Sequence, residues 1–169
     1  MPKIIEEVEH KIMVSARKIL EDKGYDGLTA RSVAENAGVS VGTLYNYFSS
    51  KEDIAAAVIL ADWRPFLEKL SKNMEDTQDP LSAAELMYAG LLSFSESHAN
   101  IFNSSAARAS INSNALTYHR RLTKMLSELL CGKGVDPVVS EVTVEIFLIK
   151  MHERAPFSDF EIAIKKLLI

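Results

Sequence analysis

Residues 28–53 read LTARSVAENAGVSVGTLYNYFSSKED, and this stretch decides the fold. Thr29 and Ser40 are residue types whose hydroxyls accept from the free N–H groups at a helix start. Val33, Ala34 and Ala37 recur at helical spacing after the first cap, and Val39 and Leu44 supply matching apolar contacts around the second. Ala34 is small where two helices would cross closely. Gly38 permits a turn that a side chain would obstruct or strain. Two short helices joined in this way make a helix-turn-helix, a unit that sets its second helix into the major groove of DNA. An ordinary helical corner is the plain alternative, but it does not account for caps, small residue, turn glycine and core spacing together.

The segments on either side extend the pattern. Val8, Ile12, Ala16, Ile19 and Leu20 form one stripe of a first helix over 4–22, closed by Lys23 and a left-handed Gly24. Tyr25 and Leu28 are expected to plug the small core. Ser49 and Glu52 have capping-box spacing for a long fourth helix over 50–74. Pro65 lies inside that helix, where it lacks an N–H and crowds the preceding turn.

The polar run NMEDTQDP at 73–80 separates this region from a body with helices expected at 81–97, 99–107, 115–130, 138–152 and 158–168. Gly132 and Gly134 break the chain before Pro137, a plausible first helical residue. The branched run VTVEIFLI at 142–149 has a strand reading. Helix is preferred, because Val138, Val142, Ile146 and Ile149 match its period and no partner strand is evident. The expected fold is therefore all-α. A DNA-binding domain over 1–50 precedes a helical effector-binding and dimerisation domain over 51–169.

Composition narrows the function. The chain has 169 residues, 47% of them hydrophobic, enough for one large domain or a small one fused to a larger. The acidic start MPKIIEEVEHKI gives no expectation of a signal peptide, and no apolar run is long enough to span a membrane. A single cysteine, Cys131, excludes an intrachain disulfide and is consistent with a cytoplasmic location. The net charge of -4 counts mildly against nucleic acid as a partner. Within 29–51, however, Arg31 and Lys51 face a single Glu35. Hydroxyls and backbone N–H groups also hold phosphates, so binding is expected with modest non-specific affinity.

The segments LTARSVAENAGVS and GTLYNYFSSKEDI resemble the tetracycline-repressor (TetR) family of bacterial transcriptional regulators. The resemblance covers about a quarter of the chain. It implies a three-helix DNA-binding domain on a helical dimerisation and ligand domain, with repression relieved by a small molecule. It also implies roles for particular residues. Thr29, Tyr45, Tyr47 and Lys51 match positions that often contact phosphate in the family, and Arg31 resembles a base-reading arginine. Ser40, Val41, Gly42 and Thr43 open the recognition helix. Val41 and Thr43 suit thymine methyls, Thr43 a base or phosphate, Gly42 close approach of the backbone, and Asn46 a bidentate contact to adenine. The family's name-giving repressor has a glutamine where this chain has Val41, so its base code does not carry over. For Tyr45 packing, and for Asn46 exposure to solvent, are the competing readings.

The body carries no motif of its own. Met87, Tyr88, Leu91, Phe94, His98, Phe102, Tyr118 and Leu122 are the candidate lining of an effector pocket, since they fall in the helices that enclose the ligand in the family; plain core packing is the alternative for each. Val138, Val142, Ile146 and Ile149, with Phe160, Ile164, Leu167 and Leu168, give the last two helices apolar faces suited to a homodimeric four-helix interface. A dimer would present its two readers to a roughly palindromic duplex operator. Neither Cys131 nor His10, His98, His119 and His152 make a metal spacing, and no phosphate-binding glycine loop or nucleophile–base set is visible. No catalysis, metal or cofactor is expected. A helical protein-interaction domain without DNA specificity, or an activator using the same reader, are the remaining alternatives.

Overall fold

A computed structural model describes the backbone of residues 2–102 and 119–168, and the side chains of 7–99, 101 and 119–168. All regular structure among them is helical. The chain divides into two compact units. Of the described residues, 2–63 and 98–102 form the first, and 64–97 and 119–168 the second. The expected boundary after residue 50 falls inside the first unit.

In the first unit, α1 (Pro2–Gly27) is interrupted at Gly24, whose φ of 67° and ψ of -170° leave the helical region. The glycine therefore ends the regular helix where the sequence places its stop, and Tyr25 to Gly27 form a further turn. Next come α2 (Ala30–Ala37) and α3 (Val41–Tyr45), then the first half of α4 (Lys51–Met74) and the single turn α6 (Ala99–Phe102). Ile12, Ala16, Ile19 and Leu20 from α1 meet Tyr25, Leu28, Val33, Ala34, Leu44, Phe48, Ile54 and Val58 in one buried cluster. Each large aliphatic side chain taken from water here contributes about 2 kcal/mol, which is what holds helices of five and eight residues that would not persist alone.

Ile101 also lies in this cluster, 3% exposed, so the reader's core is completed by a residue nearly forty positions beyond α4's crossing. The start of α4 differs from expectation. Ser50, not Ser49, is its cap: the Ser50 hydroxyl accepts from the Asp53 N–H at 3.1 Å, while the Ser49 hydroxyl donates to the Asp53 carboxylate. The sequence SSKED offers either serine three residues before an acid.

The second unit contains the rest of α4, α5 (Pro80–Ser97), α7 (119–131), α8 (Pro137–Glu153) and α9 (Glu161–Leu168), with a 3-10 turn at Phe157–Asp159. Asp136 caps α8 through its carboxylate, which accepts from the N–H groups of Val138 and Val139, and Pro137 takes the first turn, where its missing N–H costs nothing. The predicted helix 158–168 is split: the 3-10 turn precedes the α-helix, whose first regular residue is Glu161. Tyr88, Phe147, Phe157 and Phe160 pack as an aromatic cluster, with ring centres 4.9 Å apart for Tyr88 and Phe160 and 5.2 Å for Tyr88 and Phe147. The buried Tyr88 hydroxyl donates to the Ala155 carbonyl at 2.6 Å, which satisfies the polar end of an otherwise apolar side chain. No helix among the described residues is long and apolar enough to cross a membrane.

Candidate DNA-binding surface

The surface is built on α2 and α3. Thr29 caps α2 in an extended conformation: its hydroxyl accepts from the Ser32 N–H at 3.0 Å, and the Ser32 hydroxyl accepts from the Thr29 N–H at 3.0 Å. Two free donors at the helix start are thus satisfied reciprocally. Gly38 ends α2 with φ 67° and ψ 31°, and the N–H groups of Gly38 and Val39 bond back to the carbonyls of Glu35 and Ala34. A left-handed residue is required to make that reversal, and glycine takes it without a Cβ penalty.

Ser40 then starts α3. Its hydroxyl accepts from the Thr43 N–H at 3.0 Å and lies 2.8 Å from the Thr43 hydroxyl. Leu44 is fully buried and anchors the helix from below. The five-residue helix is therefore fixed at one end by a cap and underneath by a single apolar plug. Around that anchor Val41, Gly42, Tyr45 and Asn46 face outward, and Thr43 and Tyr47 are half-buried. Tyr45 is 53% exposed, so its ring does not pack into the core, whereas Tyr47 leans against the buried cluster. Gly42 has room to spare: an added Cβ would meet only the Ser40 hydroxyl, at 3.7 Å. The fold therefore does not demand glycine at position 42.

The two basic residues of this set, Arg31 and Lys51, are held differently. Arg31 pairs with Glu35 one turn along α2 at 2.8 Å, with 85% of the arginine side chain exposed. An exposed pair of this kind is worth little, so the guanidinium is free to exchange its carboxylate for a nucleic-acid partner at small cost. Lys51 is held instead. Its ammonium lies 4.1 Å from the centre of the Tyr25 ring and 3.5 Å from the Tyr25 carbonyl oxygen. The Tyr25 hydroxyl in turn donates to Glu52 at 3.0 Å. Burial and the Glu52 carboxylate push the Tyr25 hydroxyl well above its ordinary range. Burial of Glu52 works against its charge, but hydrogen bonds from its own backbone N–H, Tyr25 and Ser50 outweigh this and hold its carboxyl below the usual value. Tyr25 was expected only as a core plug. No local spacing signals its second role, because Lys51 and Glu52 are 26 and 27 positions away.

Thr29, Arg31, Ser40, Val41, Gly42, Thr43, Tyr45, Asn46, Tyr47 and Lys51 all lie in the first unit. The candidate effector residues are dispersed. Met87, Tyr88 and Leu91 are fully buried and Phe94 nearly so in the second unit, Leu122 is half-buried on α7, and His98 belongs to the first unit, where its Nε2 is 3.0 Å from Asp62. The Phe102 side chain and Tyr118 lie outside the described residues. Of the candidate interface residues, Val138 and Ile149 are 69% and 57% exposed, Val142 and Leu167 are also exposed, and Ile146 and Leu168 half-buried. Phe160 and Ile164 turn into their own protomer's core. Ile162, the most exposed large aliphatic residue among those described on α9, was not anticipated. No group of three metal-ligating side chains occurs among the described residues.

Similarity to known proteins follows the same division. The HTH-type transcriptional regulator HbdR of Aromatoleum sp. (strain CIB) is 30% identical over 80 residues, 47% of this chain and 35% of the relative. The HTH-type transcriptional regulator UidR of Escherichia coli (strain K12) is 31% identical over 65 residues, 38% of this chain and 33% of the relative. The chain thus spans about a third of the length of these curated relatives. A TetR-family transcriptional regulator from Streptomyces coelicolor shares the fold, with a TM-score of 0.63, 21% identity, and coverage of 95% of this chain and 97% of that one. The pattern of bacterial regulatory proteins of the tetR family matches residues 12–58, from the middle of α1 into α4. Residues 12–58 thus carry the segment that defines bacterial regulatory proteins of the tetR family, within an all-helical fold shared with a solved regulator.

Proposed function

We propose that the chain is the subunit of a homodimeric, sequence-specific transcriptional repressor, released from a roughly palindromic duplex operator by a small molecule. The outward face of α3 carries this reading. Val41, Gly42, Tyr45 and Asn46 are presented on a short helix fixed by Ser40 and Leu44, and the fold itself does not use them. Thr43 contributes from the side of the same helix. Arg31 and Lys51 supply positive charge, and Thr29 a hydroxyl at the start of α2. Phosphate contacts from these groups set position, and the α3 side chains read base edges.

Dimerisation brings two such helices to one duplex. The exposed Val138, Val142 and Ile149 recur along α8 at helical spacing with Ile146, and Leu167 and Leu168 extend the apolar surface on α9. Phe160 and Ile164 support it from within the protomer. The effector site is assigned to the helices of the second unit, around Met87, Tyr88, Leu91, Phe94 and Leu122. It would take a ligand with an apolar body, because the described members of this set are apolar or already spend their polar group, as Tyr88 does on Ala155. Only a difference in affinity between the DNA-competent and DNA-incompetent shapes lets that ligand switch the protein.

Titration of labelled genomic duplexes with purified protein tests the reading. Retention of one or a few fragments in a large excess of unrelated duplex, together with lowered output from the attached promoter when the protein is present, is the expected result. Equal binding of every fragment would reject sequence recognition, and raised promoter output would make the protein an activator.

A further inference from the structure

Asp62 joins three parts of the chain. Its carboxylate receives the Arg17 guanidinium from α1 at 2.6 and 2.7 Å, and the imidazole Nε2 of His98 lies 3.0 Å from the same carboxylate. The His98 side chain is only 11% exposed and that of Asp62 23%, so these contacts are more shielded than a surface ion pair and are screened less.

The positions of these residues in the chain give the cluster its meaning. α4 leaves the DNA-reading unit after Trp63, one residue beyond Asp62, and the chain returns to that unit at His98, the residue after α5 ends. Asp62 and His98 therefore stand at an exit and a re-entry of the chain, and their contact ties the two together. Arg17 fastens the tie to α1, the helix that supplies Ile12, Ala16 and Ile19 to the reader's core. The re-entering segment is seated as well as tied. The His98 carbonyl accepts from the Ile101 N–H at 2.9 Å, and Ile101 is buried in that same core. A displacement of the end of α5 that carries the adjoining His98 with it would strain its contact with Asp62.

We propose that Asp62 is a positioning residue that couples the body to the DNA reader, its clasp on His98 and Arg17 holding the reader in the shape that binds DNA. This rests on the repressor reading above and names the contact through which the effector acts on it. An effector that shifts the end of α5 would open the clasp and lower DNA affinity; one that leaves it closed would not.

The test uses the full chain, without effector, and a duplex enriched by the wild-type protein from a random library. Asp62→Asn and His98→Leu should each lower affinity for that duplex about tenfold, inside the range of ordinary allosteric couplings. The double variant should bind as each single variant does, because one clasp is broken in all three. His98→Gln, which keeps a nitrogen donor able to reach Asp62, should stay within about threefold of wild type. Ile19→Val, which loosens the same core without touching the clasp, should lower the melting temperature but leave the affinity unchanged. Unchanged affinity in Asp62→Asn and His98→Leu, multiplied losses in the double variant, or an equal loss in Ile19→Val would overturn the proposal. A wild-type protein that enriches no duplex would instead overturn the repressor reading and remove the clasp's purpose with it.

Discussion

The Lys51 ammonium rests 4.1 Å above the centre of the Tyr25 ring. A cation over an aromatic face at this level of exposure gains about 0.5–1 kcal/mol. Its larger consequence is that a long, flexible side chain is already ordered, so that the phosphate contact proposed for it would cost less entropy. Lys51→Ala is expected to weaken binding to all duplexes by a similar factor and to reduce the salt slope by about one. Affinity measured at several salt concentrations checks this, and an unchanged slope would remove Lys51 from the phosphate contacts.

Tyr25→Phe keeps the ring under Lys51 and deletes the hydroxyl that Glu52 accepts from. Glu52 is held below its usual value of 4.5 in the folded chain, so its contribution to stability is present above about that pH and is lost as the pH falls through the lower folded value. Tyr25 is raised above its usual 10.0, so its contribution is present below pH 10 and is lost as the pH rises through the folded value. The gap in stability between wild type and variant should therefore be widest near pH 7, about 1 kcal/mol, and should narrow on both sides. Urea unfolding at fixed protein concentration from pH 3 to 11 measures it. A gap of constant size would show that the hydroxyl does not set these titrations.

Two glycines four residues apart should answer alanine oppositely. Gly38→Ala places a Cβ at φ 67° and should cost about 1 kcal/mol of stability. Gly42→Ala meets only the Ser40 hydroxyl at ordinary contact distance and sits in a helix, where alanine is favoured by up to about 1 kcal/mol. It should leave stability level or raised, yet weaken operator binding, if the backbone at 42 approaches the groove as proposed. Thermal melts and DNA titration of the two variants separate folding from recognition. Full operator affinity in Gly42→Ala would mean that the backbone at 42 does not closely approach DNA.

On the last two helices, burial separates support from contact. Ile149→Glu adds a charge at an exposed position, which a free protomer tolerates and a packed interface does not. It should give a folded monomer by sedimentation, with operator affinity lost. Phe160→Ala empties a buried site in the aromatic cluster and should lower the protomer's stability by about 3 kcal/mol. A dimeric Ile149→Glu protein would move the interface away from this face of α8.

The sequence makes the reader legible because its signals are local. Thr29, Gly38 and Ser40 announce caps and a stop within ten residues of the helices they bound, and the structure forms each of those contacts. Pro137 reads correctly for the same reason. Ambiguity begins where two residues satisfy one rule, as Ser49 does with Glu52 and Ser50 with Asp53. It deepens for contacts between residues far apart in the chain. Nothing near Tyr25 signals Lys51 and Glu52, and nothing near His98 signals Asp62 or Arg17. At the C-terminal end, apolar spacing identifies Phe160 and Ile164 together with Leu167, but periodicity alone does not separate the residues that fill the protomer from those that remain at its surface.

Selection from a library of random duplexes by the 169-residue chain tests the central claim most directly. The account predicts enrichment of one sequence with two inverted half-sites about one helical turn apart, and loss of that enrichment in Thr43→Ala and Tyr47→Ala proteins that keep wild-type helicity. A dimer that enriches no sequence, or variants at Thr43 and Tyr47 that enrich the same site with the same affinity, would contradict it.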